Sequence, residues 1–253
     1  MFFSKKLLKN PNITHCFFSN RNGVSKNIYK SLNCGLGSKD KKLNIIKNLH
    51  IVSKKIGTKY KNLIIMKQTH SNKILFFGKN KKIKNKIICD GILTNKKRIA
   101  LAVLTADCIP ILIYDEKKNI IGAIHAGWRG AFKDIILKTL NKLSSLGINK
   151  KNLIVSIGPC IAQKNYEVGI DFYKKFWHKN VKNKFFFKKL KNKKYLFNLR
   201  KYVQYQFQKQ GIKNIDHIKR NTFAEKNNFY SYRRSLLKSE TDYGRNISVI
   251  MIN

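Results

Sequence analysis

"AVLTADCIPILIYDEKKNIIGAIHAGWRG", residues 102–130, reads as buried strands separated by turns, with a metal-binding type of side chain closing two of the apolar runs. "RIALAVLT" and "IPILIYD" are apolar, β-branched runs, and "DEKKN" between Tyr114 and Ile120 is a hairpin connection to the returning strand "IIGAIHAG". From Ala131 the period changes: Ile135, Ile136, Leu140 and Leu143 share one helical face, which Gly147 ends. Cys108 closes "LAVLTADC" and His125 closes "IIGAIH". On these residues alone three readings stand open: core filling, two ligands of one metal, or a nucleophile and its base.

The pattern continues on either side. "SNRNGVS" and "SLNCGLGSKD" are turn-rich, and "LNIIKNLHIVSKKIG" has helical spacing closed by Gly57. "NLIIMKQTH" reads as a short strand ending in polar residues, and "NLIVSIGPC" as a buried strand stopped by Gly158-Pro159. The stretch 171–208 mixes Lys with aromatics and turns helical in "YVQYQFQKQG"; "RNISVIMIN" is a closing strand. Strands with intervening helices give an α/β or α+β protein. With no internal repeat and no Pro/Gly/Ser linker, residues 1–253 are expected to form one domain.

A hydrophobic share of 43%, with 16 Phe and 11 Tyr, excludes a disordered chain. The net charge of +42 invites a nucleic-acid or anionic-membrane partner. Yet of 54 basic residues only 8 are Arg, Lys is spread over nearly every loop, and Asn, Ile and Phe are abundant as well. That pattern matches drift towards A/T-rich codons, so no nucleic-acid partner is expected, although "KNKFFFKKLKNKKYLF" would suit single-strand stacking. Five Cys at irregular spacing form no disulfide framework and suit a reducing, cytoplasmic setting. The start lacks the apolar stretch of a signal peptide, and the run 99–114 is interrupted by Thr105 and Asp107, so no membrane span is expected.

His70 closes "IIMKQTH" much as His125 and Cys108 close their runs. Two imidazoles and a thiolate are three good Zn²⁺ ligands and leave a fourth position for water, as in a catalytic site. The ligands stand 38 and 17 positions apart, far from any close-spaced zinc signature, so spacing alone leaves the core reading ahead. Asp107, beside Cys108, is either a supporting partner or a turn residue. In "HAGWRGAF", Gly127 and Gly130 bracket Trp128 and Arg129 just before a helix, a pattern suited to anion binding by backbone N–H groups and Arg129, with Trp128 as a stacking surface. Arg233, Arg234, Arg245 and Arg21 are notable where nearly every other cation is Lys, and they add anion-binding candidates.

The ordered set "FFSNRNGVS … SLNCGLGSKD … KQTHS … CDGILT … LTADCIPILIYD … IGAIHAGWRG … IGPCIAQKNYEVG … FYSYRR … GR" resembles the YfiH-type family. Its members have been called laccase-domain or polyphenol-oxidase proteins, purine nucleoside phosphorylases and peptidoglycan-editing factors. The resemblance runs from about residue 15 to the C-terminus. It implies a single layered α/β domain with mixed β-sheets and flanking helices, and a zinc held by two His and one Cys, here His70, Cys108 and His125. Three positions depart from the pattern: Asn22 in place of a Gly, Asn198 where Asp is common, and Asn221 where Cys is usual.

The activity the resemblance implies is phosphorolysis of adenosine, inosine and methylthioadenosine to base and ribose 1-phosphate, with adenosine deamination. The small-molecule partners are then a nucleoside and phosphate. Cys108, His125 and Arg129 are the catalytic candidates, and Gly127, Trp128, Arg129, Arg233 and Arg245 the substrate- or phosphate-binding ones. The rival readings are a cysteine hydrolase or amidase using Cys108 with a His on peptidoglycan precursors, and a copper-dependent polyphenol oxidase. Both zinc and copper stay open as the metal, and both monomer and homodimer as the assembly.

Overall fold

The computed structural model describes residues 1–78 and 87–253. In chain order the strands are β1 (Ile13–Phe17), β2 (Leu63–Ile65), β3 (Ile74–Phe77), β4 (Gly91–Thr94), β5 (Ala100–Thr105), β6 (Ile109–Asp115) and β7 (Ile120–Ala126). They continue as β8 (Leu153–Ile157), β9 (Glu167–Gly169), β10 (Phe187–Lys189), β11 (Lys194–Phe197), β12 (Ile215–His217) and β13 (Asn246–Ile252). The helices are α1 (Lys42–Ile56), α2 (Trp128–Phe132), α3 (Ile135–Ser145), α4 (Ile170–Lys179), α5 (Leu199–Lys209) and α6 (Tyr232–Leu237).

Three sheets form: β1-β13-β5-β2, β12-β8-β6-β7-β4-β3 and the small β10-β11-β9. Parallel and antiparallel pairs occur together in both larger sheets, as in β2 with β5 and β6 with β7. The expected mixed-sheet α/β architecture is therefore the observed one.

Alternation along the strands builds the layers. Leu101 and Val103 of β5 and Leu112 and Tyr114 of β6 point into the seam between the two large sheets, with Phe17 and Ile250. Ala100 and Ala102 face the other way, against Ile45, Leu49 and Val52 of α1. Ile109, Ile111 and Ile113 lie under α3, α5 and the small sheet. The order of layers is thus helix, sheet, sheet, helices. Burial of one large aliphatic side chain here stabilises by about 1.5–3 kcal/mol.

The quoted stretch changes sheet within itself. β5 pairs with β13 and β2, whereas β6 pairs with β7 and β8, so residues 106–108 carry the chain from one sheet to the other. Cys108 therefore sits on a crossing bend, not at the end of the strand that "LAVLTADC" suggests. His70 likewise belongs to a loop, because β2 stops at Ile65. The Gln68 side chain ends the pairing by donating to Leu104 O (2.7 Å) and accepting from Leu104 N (2.8 Å).

Gly57 closes α1 in a left-handed conformation (φ 81°), as its sequence position predicts. The single helix expected from Ala131 to Gly147 is instead broken. Asp134 adopts φ 63°, and Lys179 pins the break by donating to both Phe132 O and the Asp134 carboxylate. Most aromatics of "KNKFFFKKLKNKKYLF" turn inward: Phe186, Tyr195 and Phe197 are buried, and Phe187 packs on Phe197 at 4.8 Å, while Phe185 is exposed. Those rings fill a core and are not laid out as a base-stacking face. Among the described residues no helix is long and apolar enough to cross a membrane.

Candidate metal centre

The parallel pairing of β2 with β5 sends both strands out of the same end of one sheet, and both crossings to the second sheet start there. His70 lies on the first crossing and Cys108 on the second, which brings together residues 38 positions apart. The β6–β7 register, with Ile109 opposite Ala126, sets His125 beside the second crossing. The ligand atoms of His70, Cys108 and His125 all lie within 4.8 Å of one another. Cys108 Sγ is 3.9 Å from His70 Nε2, and the two imidazoles meet edge-on with centroids 4.8 Å apart.

One carboxylate underlies the group. Asp90, fully buried just before β4, accepts from His125 Nδ1 at 2.8 Å, leaving Nε2 as the donor available to the centre. Its oxygens also accept from the backbone N–H groups of Thr69, His70 and Ser71 and from the Thr69 and Ser71 hydroxyls. Burial opposes its ionisation, but the hydrogen bonds from His125 and Ser71 prevail and hold the carboxyl well below the usual carboxylate range. Burial likewise opposes charge on Cys108 and His125. The His125 imidazole nevertheless lowers the Cys108 thiol, and the thiolate together with Asp90 raises the His125 imidazole. A thiolate beside imidazole nitrogens is the donor chemistry that a borderline-soft cation takes.

The centre opens into a cavity of about 320 Å³, lined among others by Trp128, Tyr166, Phe172 and Arg233. That size and apolar character suit a small organic ligand. Trp128 and Phe172 meet edge-to-face at 4.9 Å. The Arg233 guanidinium donates to Glu167 O at 2.8 Å and lies 5.4 Å over the Tyr166 ring.

The other arginines stand elsewhere. Arg129 is exposed, is not among the residues lining the cavity, and rests 5.3 Å over the Trp128 ring. Arg245 also lies outside the lining, bonded to Asp242 at 3.0 Å and stacked on Tyr243 at 3.8 Å. Arg234 is spent on the carbonyls of Thr222, Phe223 and Phe229, and Arg21 on that of Asn227. Gly127 serves ligand clearance: a Cβ there would lie 2.8 Å from Cys108 Sγ and 2.9 Å from His70 Cδ2. The helix that follows is only five residues long, so it supplies little of the dipole that the sequence pattern suggested.

The Asp107 carboxylate is engaged away from the three ligand side chains. At φ 84° it accepts from Thr222 Oγ1 (2.6 Å), Ser231 Oγ (2.9 Å) and Arg233 N (2.7 Å), tying the C-terminal segment, and so Arg233, to the Cys108 bend. Asn198 caps α5 through Lys201 N, as an Asp would, and Asn221 bonds Ala162 N and Asn165. Asn22 keeps the left-handed backbone (φ 64°) that a Gly would adopt there.

Sequence reading missed Asp90, Tyr166 and Phe172. The usable signal for Asp90 was its position inside the apolar "IICDGILT" in a chain with only 12 acidic residues. Tyr166 falls within the quoted "IGPCIAQKNYEVG", which could have drawn attention to it, whereas nothing set Phe172 apart from the many aromatics of the core.

A family described as multi-copper polyphenol oxidoreductase laccase matches residues 14–253. A Rickettsia conorii protein named purine nucleoside phosphorylase is 38% identical over 212 residues, covering 82% of this chain and 86% of its own. One of the same name from Haemophilus influenzae is 32% identical over 246 residues, covering 95% of each. The crystal structure of Bacillus licheniformis hypothetical protein YfiH superposes with a TM-score of 0.87 at 25% identity, covering 95% of this chain and 93% of that one.

Proposed function

The chain belongs to the multi-copper polyphenol oxidoreductase laccase family, and from that membership we propose that it is a metal-dependent purine nucleoside phosphorylase. Its substrates in this reading are adenosine, inosine and methylthioadenosine, with adenosine deamination at the same site. The observation that carries the reading is the convergence of His70, Cys108 and the buried His125 into one group, of which His70 and Cys108 line an aromatic-walled cavity that Arg233 also lines.

His70, Cys108 and His125 would hold the metal, and their two imidazoles and one thiolate suit either zinc or copper. The bound metal would supply Lewis acidity near neutral pH. The remaining work falls to side chains. Trp128 and Phe172 offer apolar faces for the purine. Arg233, which lines the cavity, offers a bidentate grip on phosphate, a role its place suits better than that of Arg129. An oxygen of hydrogenphosphate then bonds to the ribose anomeric carbon as the bond from that carbon to the purine nitrogen breaks, and the base leaves with the proton the hydrogenphosphate gives up.

The test is base release from inosine, with and without phosphate, beside measured metal content. Phosphate-dependent release is expected, and His125→Ala should abolish both metal and release. Full activity in metal-free His125→Ala overturns the reading.

The His125–Asp90 bond of 2.8 Å also completes a Cys–His–Asp arrangement, which favours the cysteine hydrolase as the second reading. A trapped acyl-enzyme on Cys108 selects it; protection of Cys108 from iodoacetamide by added zinc selects the metal centre.

A further inference from the structure

We propose that Asp90 is the positioning residue that presets both histidine donors at once, so that a single buried carboxylate decides how tightly the centre takes its metal. The inference rests on the metal-centre reading and deepens it.

Oδ1 accepts from the His125 ring (2.8 Å) and from the His70 backbone N–H (3.0 Å). Oδ2 accepts from Thr69 N (3.1 Å), Thr69 Oγ1 (3.3 Å), Ser71 N (2.7 Å) and Ser71 Oγ (2.7 Å). The two oxygens thus do different jobs on different ligands. Towards His125, the carboxylate keeps the proton on Nδ1 and the lone pair on Nε2, the only tautomer that can ligate from that side. The Asp90 backbone grips the same residue, its carbonyl accepting from His125 N at 2.7 Å.

Towards His70, three successive backbone N–H groups converge on one anion, an inverted form of the nest that loops build around phosphate. His70 sits there at φ 56°, a conformation that residues other than Gly rarely adopt, and the carboxylate is what holds it. Asp90 is 0% exposed, so water cannot take its place.

An amide cannot stand in. If Asn turned its oxygen to His125, its NH₂ would face the backbone N–H groups of Thr69 and Ser71, which can only donate. Turned the other way, the NH₂ would face His125 Nδ1 and the His70 N–H, driving the ring proton to Nε2, where the metal must bind. Asp90→Asn therefore disturbs both ligands in either orientation. Loss of one supporting partner ordinarily lowers metal affinity about 10–100-fold, and a residue supporting two ligands should exceed roughly 100-fold.

The experiment titrates Co²⁺ into metal-free full-length protein, following the visible and thiolate charge-transfer bands. In parallel, ¹⁵N-histidine spectra of the metal-free protein, taken at alkaline pH where the His125 ring is neutral, read its tautomer. Wild type should bind Co²⁺ and carry the His125 proton on Nδ1. Asp90→Asn should bind at least about 100-fold more weakly and shift that proton to Nε2. Wild-type affinity and tautomer in Asp90→Asn overturn the role of Asp90, whereas a wild type that takes up neither Co²⁺ nor Zn²⁺ overturns the metal-centre reading itself. Should Asp90→Asn fail to fold, Thr69→Val combined with Ser71→Ala removes two hydroxyl donors on the His70 side only. It should weaken Co²⁺ about tenfold with the His125 tautomer intact, and unchanged affinity there refutes the coupling to His70.

Discussion

Gly127→Ala separates ligand clearance from anion contact at the glycine that opens "GWRG". The added Cβ would stand 2.8 Å from Cys108 Sγ and 2.9 Å from His70 Cδ2, where ordinary contact begins near 3.4 Å. One or both ligands must then retreat by about 0.6 Å, and metal sites tolerate only about ±0.2 Å in ligand distance. The backbone itself does not object, because Gly127 lies at φ −74°, ψ 168°, open to any residue. Two effects on stability therefore oppose each other. The loss of glycine freedom in the unfolded chain stabilises by about 0.4–1 kcal/mol, and overpacking destabilises by about 1–3 kcal/mol. Overpacking wins by roughly 1–2 kcal/mol, which lowers Tm by only about 2–8 °C in a chain of this size.

The prediction is thus an asymmetric one: a protein that still folds, with a modestly lower Tm, but that holds metal far more weakly. Thermal melts of metal-free protein beside metal analysis after dialysis measure the two halves. Gly127→Ala with full metal occupancy and wild-type affinity would refute the steric argument. A raised phosphate KM with metal intact would instead restore the anion-contact role.

The remaining predictions concern other sites. Arg233→Ala should raise the phosphate KM about 10–100-fold, with Arg233→Lys recovering part of it, because the charge returns without the fork; an unchanged KM in steady-state kinetics removes Arg233 from phosphate binding. His15 is 3% exposed, its Nε2 accepts from Ser4 N at 2.9 Å, and burial, opposed only weakly by Asp216, lowers its pKa to about 4. The unfolded chain binds that proton below about 6.5 and the folded one only below about 4, so the stabilisation is whole above pH 6.5 and up to roughly 3 kcal/mol is lost on acidification to pH 4. Denaturant melts at pH 7 and 4.5 should show a smaller drop in His15→Gln than in wild type, and equal drops would refute the assignment.

Apolar, β-branched runs made β5, β6 and β7 legible, because strands buried on both faces advertise themselves as nearly unbroken apolar segments. The break at Asp134 was hidden, since an Asp inside an amphipathic pattern tolerates a helix, and the partner that pins the break, Lys179, lies 45 positions away. Arg129 and Arg233 show the same limit at the site. Both are rare arginines near glycines or aromatics, and only the clamp of Asp107 on the backbone of Arg233 turns one of them towards the cavity. Such tertiary bonds leave no local signature.

What spacing could not supply, topology does. Among the described elements, β2 and β5 are the parallel pair of the four-stranded sheet, and each is followed by a passage into the six-stranded sheet, to β3 and to β6. A parallel pair must send both chains off the same edge. Two crossings are thereby forced side by side at one end of the sandwich, whatever the sequence distance between them. Residues 66–73 and 106–108 make those crossings, and His70 and Cys108 sit on them, while His125 arrives at the end of the strand paired with β6. The gap of 38 positions that argued against a shared metal is the length of chain needed to leave the first sheet, build β3 and β4 in the second and return as β5. Asp90 lies on that excursion, immediately before β4, which is why the residue between the two crossings can reach the loop of one ligand and the ring of another.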